Sequence, residues 1–150
     1  MSMDRVNDAL NAIDIRVEGD GGNAGELDYF TLNVVPLLHE VKHALARLLE
    51  SGEPTTIDLG SIPLAPGELE KIDGALGVGE VKVALDALGP SQIYETAFSG
   101  VWRINHLNAA DEVVGRYIEI TRIPEILLAQ APDVRASLDL LTKKLSGESD

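Results

Sequence analysis

His39 and His43 stand four residues apart in His-Glu-Val-Lys-His, the spacing at which one helix face can offer two imidazoles to a single metal ion. Glu40 between them completes the H-E-x-x-H pattern of zinc peptidases, in which two histidines hold the metal and the glutamate serves as general base. A hydrolytic site also needs a third protein ligand and a cleft that shields the activated water. His106 is the last of the three histidines, so that ligand would be His106 or a carboxylate. A helical projection sets His39 and His43 beside Ala46 and Glu50, opposite the leucine stripe, which points the pair at solvent. The residues read as a solvated helix face, with a weak metal site or a zinc hydrolase centre as the alternatives.

Other chemistry has less support. No serine lies in a Gly-x-Ser-x-Gly elbow, and Ser61 and Ser99 are flanked by turn residues. Gly74, Gly77 and Gly79 follow a helical pattern rather than a strand, at a spacing unlike that of a phosphate-binding loop. The acidic, glycine-rich run from Glu18 to Gly25 has the composition of a calcium loop, yet Asp20, Gly22 and Ala24 fill alternate positions where oxygen ligands are needed. With no cysteine, the chain cannot form disulfides, thiolate zinc sites or cysteine-ligated iron–sulfur clusters. No cofactor is expected.

The 150 residues fit one domain, and 45% hydrophobic content is enough for a buried core. Aromatics are only 4%, so that core must be aliphatic and Trp102, the single tryptophan, stands out. The net charge of −13, from 12 basic and 25 acidic residues, disfavours nucleic acid as a partner and suits solubility or steering toward a basic segment. The first twenty residues are amphipathic and acidic, without the apolar core of a secretion signal, and no later run is long enough to span a bilayer. A cytoplasmic protein without membrane insertion is expected.

Periodicity supplies the elements. Met3, Val6, Leu10 and Ile13 recur at helical spacing, and Ile13, Ile15 and Val17 then alternate as in a strand. Val34, Leu38, Val41, Leu45, Leu48 and Leu49 make an amphipathic helix over 34–50, with Pro36 in its first turn and Gly52 as its stop. Residues 55–59 read as a short strand, and 65–76 as a second helix with Leu69, Ile72 and Leu76 buried. The pattern then turns to strands over 81–85, 92–98, 101–107 and 113–121, the last two joined by a loop at 108–112. A strand-to-helix switch at Ile-Pro-Glu-Ile-Leu (123–127) and a closing helix over 131–145, striped by Val134, Leu138, Leu141 and Leu145, complete the chain. The expected fold is α+β, an antiparallel sheet of four or five strands with helices packed on one face. Residues 1–32 form an N-terminal extension and 33–150 the conserved-looking domain, together one globular unit.

Hydrophobic register predicts that Ile104 shares a core face with Ile118, so that Trp102, Ile104 and His106 look the same way as Val114, Ile118 and Ile120. The other face would then carry Arg103, Asn105, Tyr117, Glu119 and Thr121. A mixed aromatic and charged face of this kind suits protein docking as well as it suits water.

Several separated motifs carry a resemblance. VPLLHEVKHAL from Val35 with the following Gly52-Glu-Pro, GEVK from Gly79 before LDALG from Leu85, FSGVW from Phe98, and EITRIPEIL from Glu119 resemble, in order, the C-terminal conserved region of the HupH/HyaF hydrogenase expression proteins. The similarity runs from about Asn33 to Leu141. Members of that family carry a longer N-terminal half, whereas about thirty residues precede the region here. The resemblance implies a non-catalytic accessory protein or chaperone in nickel–iron hydrogenase maturation, acting on the small-subunit precursor alongside other maturation proteins. The residues expected to meet a partner are Trp102, Arg103, Tyr117, Glu119, Arg122 and Glu125. A zinc-dependent hydrolase built on His39, Glu40 and His43, and a homodimeric interaction module, are the competing readings.

Overall fold

The computed structural model describes residues 32–87 and 89–147. The helix, strand and glycine-rich loop expected before Leu32 lie outside the described residues. Helix α1 (Val34–Ser51) leads into β1 (Thr55–Asp58) and a 3-10 turn at Leu59–Ser61; α2 (Glu68–Leu76) follows. Four strands come next, β2 (Lys82–Asp86), β3 (Pro90–Glu95), β4 (Val101–Leu107) and β5 (Val113–Ile120). A second 3-10 turn at Glu125–Leu127 and helix α3 (Ala131–Leu145) end the described chain.

The strands form one antiparallel sheet in the order β1-β5-β4-β3-β2. Short connections make β2 to β5 a meander, as the alternating segments and turn residues require. β1 is added at the far edge, beside β5, so the chain crosses from one edge of the sheet to the other through α2.

α1 and α2 cover one face. Val34, Leu37, Val41, Ala44 and Leu48 of α1 and Ile72, Ala75 and Leu76 of α2 pack on Ile57, Val101, Ile118 and Ile120. Fully burying each large aliphatic side chain contributes about 1.5–3 kcal/mol, so this cluster dominates stability. Leu49, expected in the stripe, is 87% exposed, because one residue beyond Leu48 the side chain is rotated about 100° away from the core. α1 stops where Gly52 adopts a left-handed φ of 76° and donates its N–H to the Leu48 carbonyl, 2.9 Å away.

α2 begins three residues later than its apolar pattern predicts, and Glu68 gives the reason. Its side chain is fully buried, and its carboxylate accepts the Ala65 N–H at 2.7 Å and the Asn33 N–H and Nδ2 at 3.0 Å each. This fixes residues 65–67 as a turn and ties it to the residue that precedes α1. Burial alone would raise the Glu68 carboxyl. The hydrogen bonds from Ala65 and Asn33, with the charge of Lys71, outweigh burial and hold it below its ordinary value.

Candidate functional site

The register of β4 against β5 sets Val101 opposite Ile120, Trp102 opposite Glu119, Arg103 opposite Ile118 and Ile104 opposite Tyr117. The expected faces are therefore exchanged in β4: Ile104 does not share a face with Ile118. Arg103 does, on the side of the helices, whereas Trp102 and Ile104 share the other side with Tyr117 and Glu119. The physical reason is that the centre of the sheet is buried on both faces, so apolar alternation there does not mark an inside and an outside.

Arg103 lies under α2 and is 2% exposed. Its Nε donates to Asp73 Oδ1 at 2.6 Å and its Nη2 to Asp73 Oδ2 at 3.3 Å, a two-pronged pair with an acid of α2. Nη1 donates to the Tyr117 carbonyl and to Asn105 Oδ1, both at 3.2 Å. Burial raises the nearby Tyr94 hydroxyl, Asp73 adds to the rise, and the Arg103 charge opposes it. Each nitrogen of the guanidinium donates within the domain, so Arg103 fastens α2 to the sheet.

The opposite face gathers a second, smaller cluster. Ile93, Trp102 and Ile104 are buried, with Val83, Leu85, Tyr117 and Leu127 packed against them. Leu127 belongs to the 3-10 turn after β5, so the segment following the sheet folds back over this face. Trp102 is 5% exposed and donates its indole N–H to the Thr121 carbonyl at 3.1 Å, which braces the start of that segment. The turn replaces the helix start expected at Ile-Pro-Glu-Ile-Leu. Pro124 is buried, while Arg122, Ile123, Glu125, Ile126 and Leu128 are exposed.

Charge collects at the same place. Burial raises the Glu119 carboxyl, the neighbouring Glu125 raises it further, and His106 partly offsets both. His106 shares a 2.7 Å hydrogen bond through Nδ1 with Ser91 Oγ and meets the Tyr117 ring edge-on at 5.6 Å between centroids. Ser91 and His106 are direct cross-strand partners of β3 and β4, and the pair reads as a satisfied polar contact within the sheet. Sequence reasoning did not single it out, because the strand it drew over 92–98 leaves out Ser91, whereas the observed β3 runs from Pro90 to Glu95. Asp73 and Glu68 were likewise missed, since their partners Arg103 and Asn33 lie thirty or more residues away in sequence.

Of the six residues expected to meet a partner, Trp102, Tyr117 and Glu119 share this face, and Arg122 and Glu125 follow in the segment that closes over it. Arg103 is on the other side. His39, Glu40 and His43 are exposed on α1, the two imidazoles 6.5 Å apart between centroids. Among the described residues no group of three or more His, Asp or Glu is arranged to hold a metal ion. No described helix is long and apolar enough to cross a membrane.

Known proteins share this arrangement. The family described as "HupH hydrogenase expression protein, C-terminal conserved region" matches residues 31–147. The chain is 27% identical over 106 residues to the hydrogenase expression/formation protein HupH of Rhizobium leguminosarum bv. viciae, covering 71% of this chain and 38% of that one. It is 29% identical over 119 residues to HoxQ of Azotobacter vinelandii, covering 78% and 42%. The chain thus spans about two-fifths of the length of these relatives. The solved structure of the hydrogenase expression protein HupH from Thiobacillus denitrificans is similar at a TM-score of 0.73 and 43% identity, over 77% of this chain and 96% of that one. With its sheet, its two covering helices and its returning turn, the chain belongs to the HupH hydrogenase expression family and holds that family's C-terminal conserved region.

Proposed function

We propose that the chain is a non-catalytic accessory protein of nickel–iron hydrogenase maturation that holds the small-subunit precursor through the segment from Arg122 to Leu128. Ile123, Ile126 and Leu128 are each close to half exposed there, beside Arg122, Glu125 and the Glu119 carboxyl. Exposed aliphatic side chains interleaved with both signs of charge form the apolar centre and polar rim of a protein-docking surface. That combination is the observation that carries the reading, and family membership supplies the class of process.

The acidic pair has a defined role in this reading. Burial first and the Glu125 charge second make ionisation of Glu119 costly, and a basic side chain of the partner placed beside it relieves this, favouring a basic segment of the precursor. The test is co-purification of the small-subunit precursor with tagged protein from hydrogenase-expressing cells. Enrichment with the native chain and its loss with Ile126→Glu, whose side chain is already exposed and whose change leaves the core intact, is the expected result. Equal recovery with the variant, or unaltered hydrogenase activity in a strain lacking the protein, overturns the proposal.

A further inference from the structure

Helix α3 is amphipathic, yet each of its fifteen residues is exposed. Val134, Leu138, Leu141 and Leu145 form one stripe along it and are 55, 63, 57 and 81% exposed. A stripe at this spacing exists to be covered. Elsewhere in the described chain apolar stripes at the same spacing, those of α1 and α2, are buried on the sheet.

The charges of α3 identify what covers it. The helix carries Arg135, Lys143 and Lys144 against Asp133 and Asp139, in a chain with 12 basic and 25 acidic residues. It is therefore an element on which two such acidic chains can meet with little mutual repulsion. The charges are also polarised, Asp133 in the first turn and Lys143 and Lys144 in the last. Asp133 and Lys144 lie on one flank of the stripe, about 20° apart around the helix axis.

The apolar stripe has the matching symmetry. Its midpoint falls between Asp139 and Leu140, with Val134 and Leu145 equally far from it and Leu138 and Leu141 equally close. A two-fold axis through that midpoint sets Val134 against Leu145 of a second copy and Leu138 against Leu141, with Asp133 beside the second copy's Lys144 at both ends. The antiparallel arrangement also aligns the two helix dipoles head to tail.

We propose that α3 is a self-pairing helix, packing antiparallel against α3 of a second copy of this chain through Val134, Leu138, Leu141 and Leu145. A contact of about four helical turns lies at the small end of specific interfaces, so the dimer is reversible and concentration-dependent.

The experiment is sedimentation velocity of the full 150-residue chain over a wide concentration range, with far-UV circular dichroism as the control for folding. A monomer–dimer equilibrium is expected, abolished in the double variant Leu138→Glu/Leu141→Glu with the spectrum of the sheet unchanged. Asp133→Lys weakens the dimer roughly five-fold, the scale of two exposed ion pairs, and adding Lys144→Asp restores it. A chain that stays monomeric at every concentration overturns the proposal and assigns the stripe to another occupant, residues 1–31 or a different protein. A dimer that survives Leu138→Glu/Leu141→Glu overturns it as well. A dimer that is lost in that variant but not restored by the charge exchange overturns the antiparallel register. None of these outcomes depends on binding of the hydrogenase precursor.

Discussion

Arg103 of β4 and Asp73 of α2 meet at 2.6 Å beneath the helices, thirty residues apart in sequence, with the guanidinium sealed from solvent and the carboxylate one-third open to it. The pair joins α2, the helix on the crossover between the two sheet edges, to the strand at the sheet's centre. Removing the acid leaves a buried cation without its counter-charge, which costs more than the pair itself contributes.

Asp73→Ala therefore lowers the stability of the domain by about 2–3 kcal/mol, toward the low side for a broken buried pair because Asp73 retains contact with water. The urea midpoint should fall with the slope unchanged. A loss below about 0.5 kcal/mol would show that the guanidinium is satisfied by the Tyr117 and Asn105 oxygens alone. The same logic applies to Arg103→Ala: any loss of partner binding in that variant must come with a loss of stability.

Glu68 should show its contribution through pH. Its folded-state carboxyl is held below the ordinary value, so the stabilisation is present at neutral pH and is lost as pH falls through the acid range. Glu68→Gln, which cannot accept all three N–H groups equally well, should cost about 1–3 kcal/mol at pH 7 and progressively less in acid. Equal differences at neutral and acid pH, in paired denaturation curves, would contradict the assignment.

Glu119 has the opposite sign. Its carboxyl is raised by burial and by Glu125, so ionisation at neutral pH works against the folded state, and the balance is most favourable below the ordinary carboxylate range. Glu119→Gln should raise the melting temperature at pH 7, and this gain should vanish in acid, where the glutamate is protonated in both states. The same substitution should weaken capture of the precursor, so stability and binding move in opposite directions. A variant that gains neither stability at pH 7 nor loses binding would remove Glu119 from the docking surface.

Gly79 is fixed by close approach. A Cβ there would lie 2.5 Å from the Thr96 carbonyl oxygen, which is backbone and cannot swing aside, while the Gly79 N–H donates to Glu95 at 2.7 Å. Gly79→Ala should cost about 1–3 kcal/mol, the scale of an overpacked site, and the proper control is Gly74→Ala, where a Cβ meets open space. Similar melting temperatures for the two variants would refute the steric account.

Much of the architecture was legible because local pattern and tertiary packing agree. The apolar alternation and turn residues placed β4 at 101–107 and the closing helix at 131–145 with their observed limits, and the loop at 108–112 was read from its turn residues. What failed was the assignment of faces. Val101-Trp-Arg-Ile places an arginine on the helix side and a tryptophan on the other, and nothing local says that Asp73 waits thirty residues upstream to make burial of Arg103 tolerable. For α3, periodicity foretold a stripe but not that the described chain leaves it uncovered.

The order of the strands carries a consequence for synthesis. β1 is made before the meander, but among the described residues its one neighbour is β5, whose last residue, Ile120, lies more than sixty residues downstream. Until that strand leaves the ribosome, the apolar side of α1 has no finished sheet to rest on, and the domain cannot close in stages from its beginning. Long sequence separation of this kind slows folding and prolongs the exposure of sticky surface. A protein proposed to shelter an unfinished partner is thus itself in need of shelter until β5 has left the ribosome.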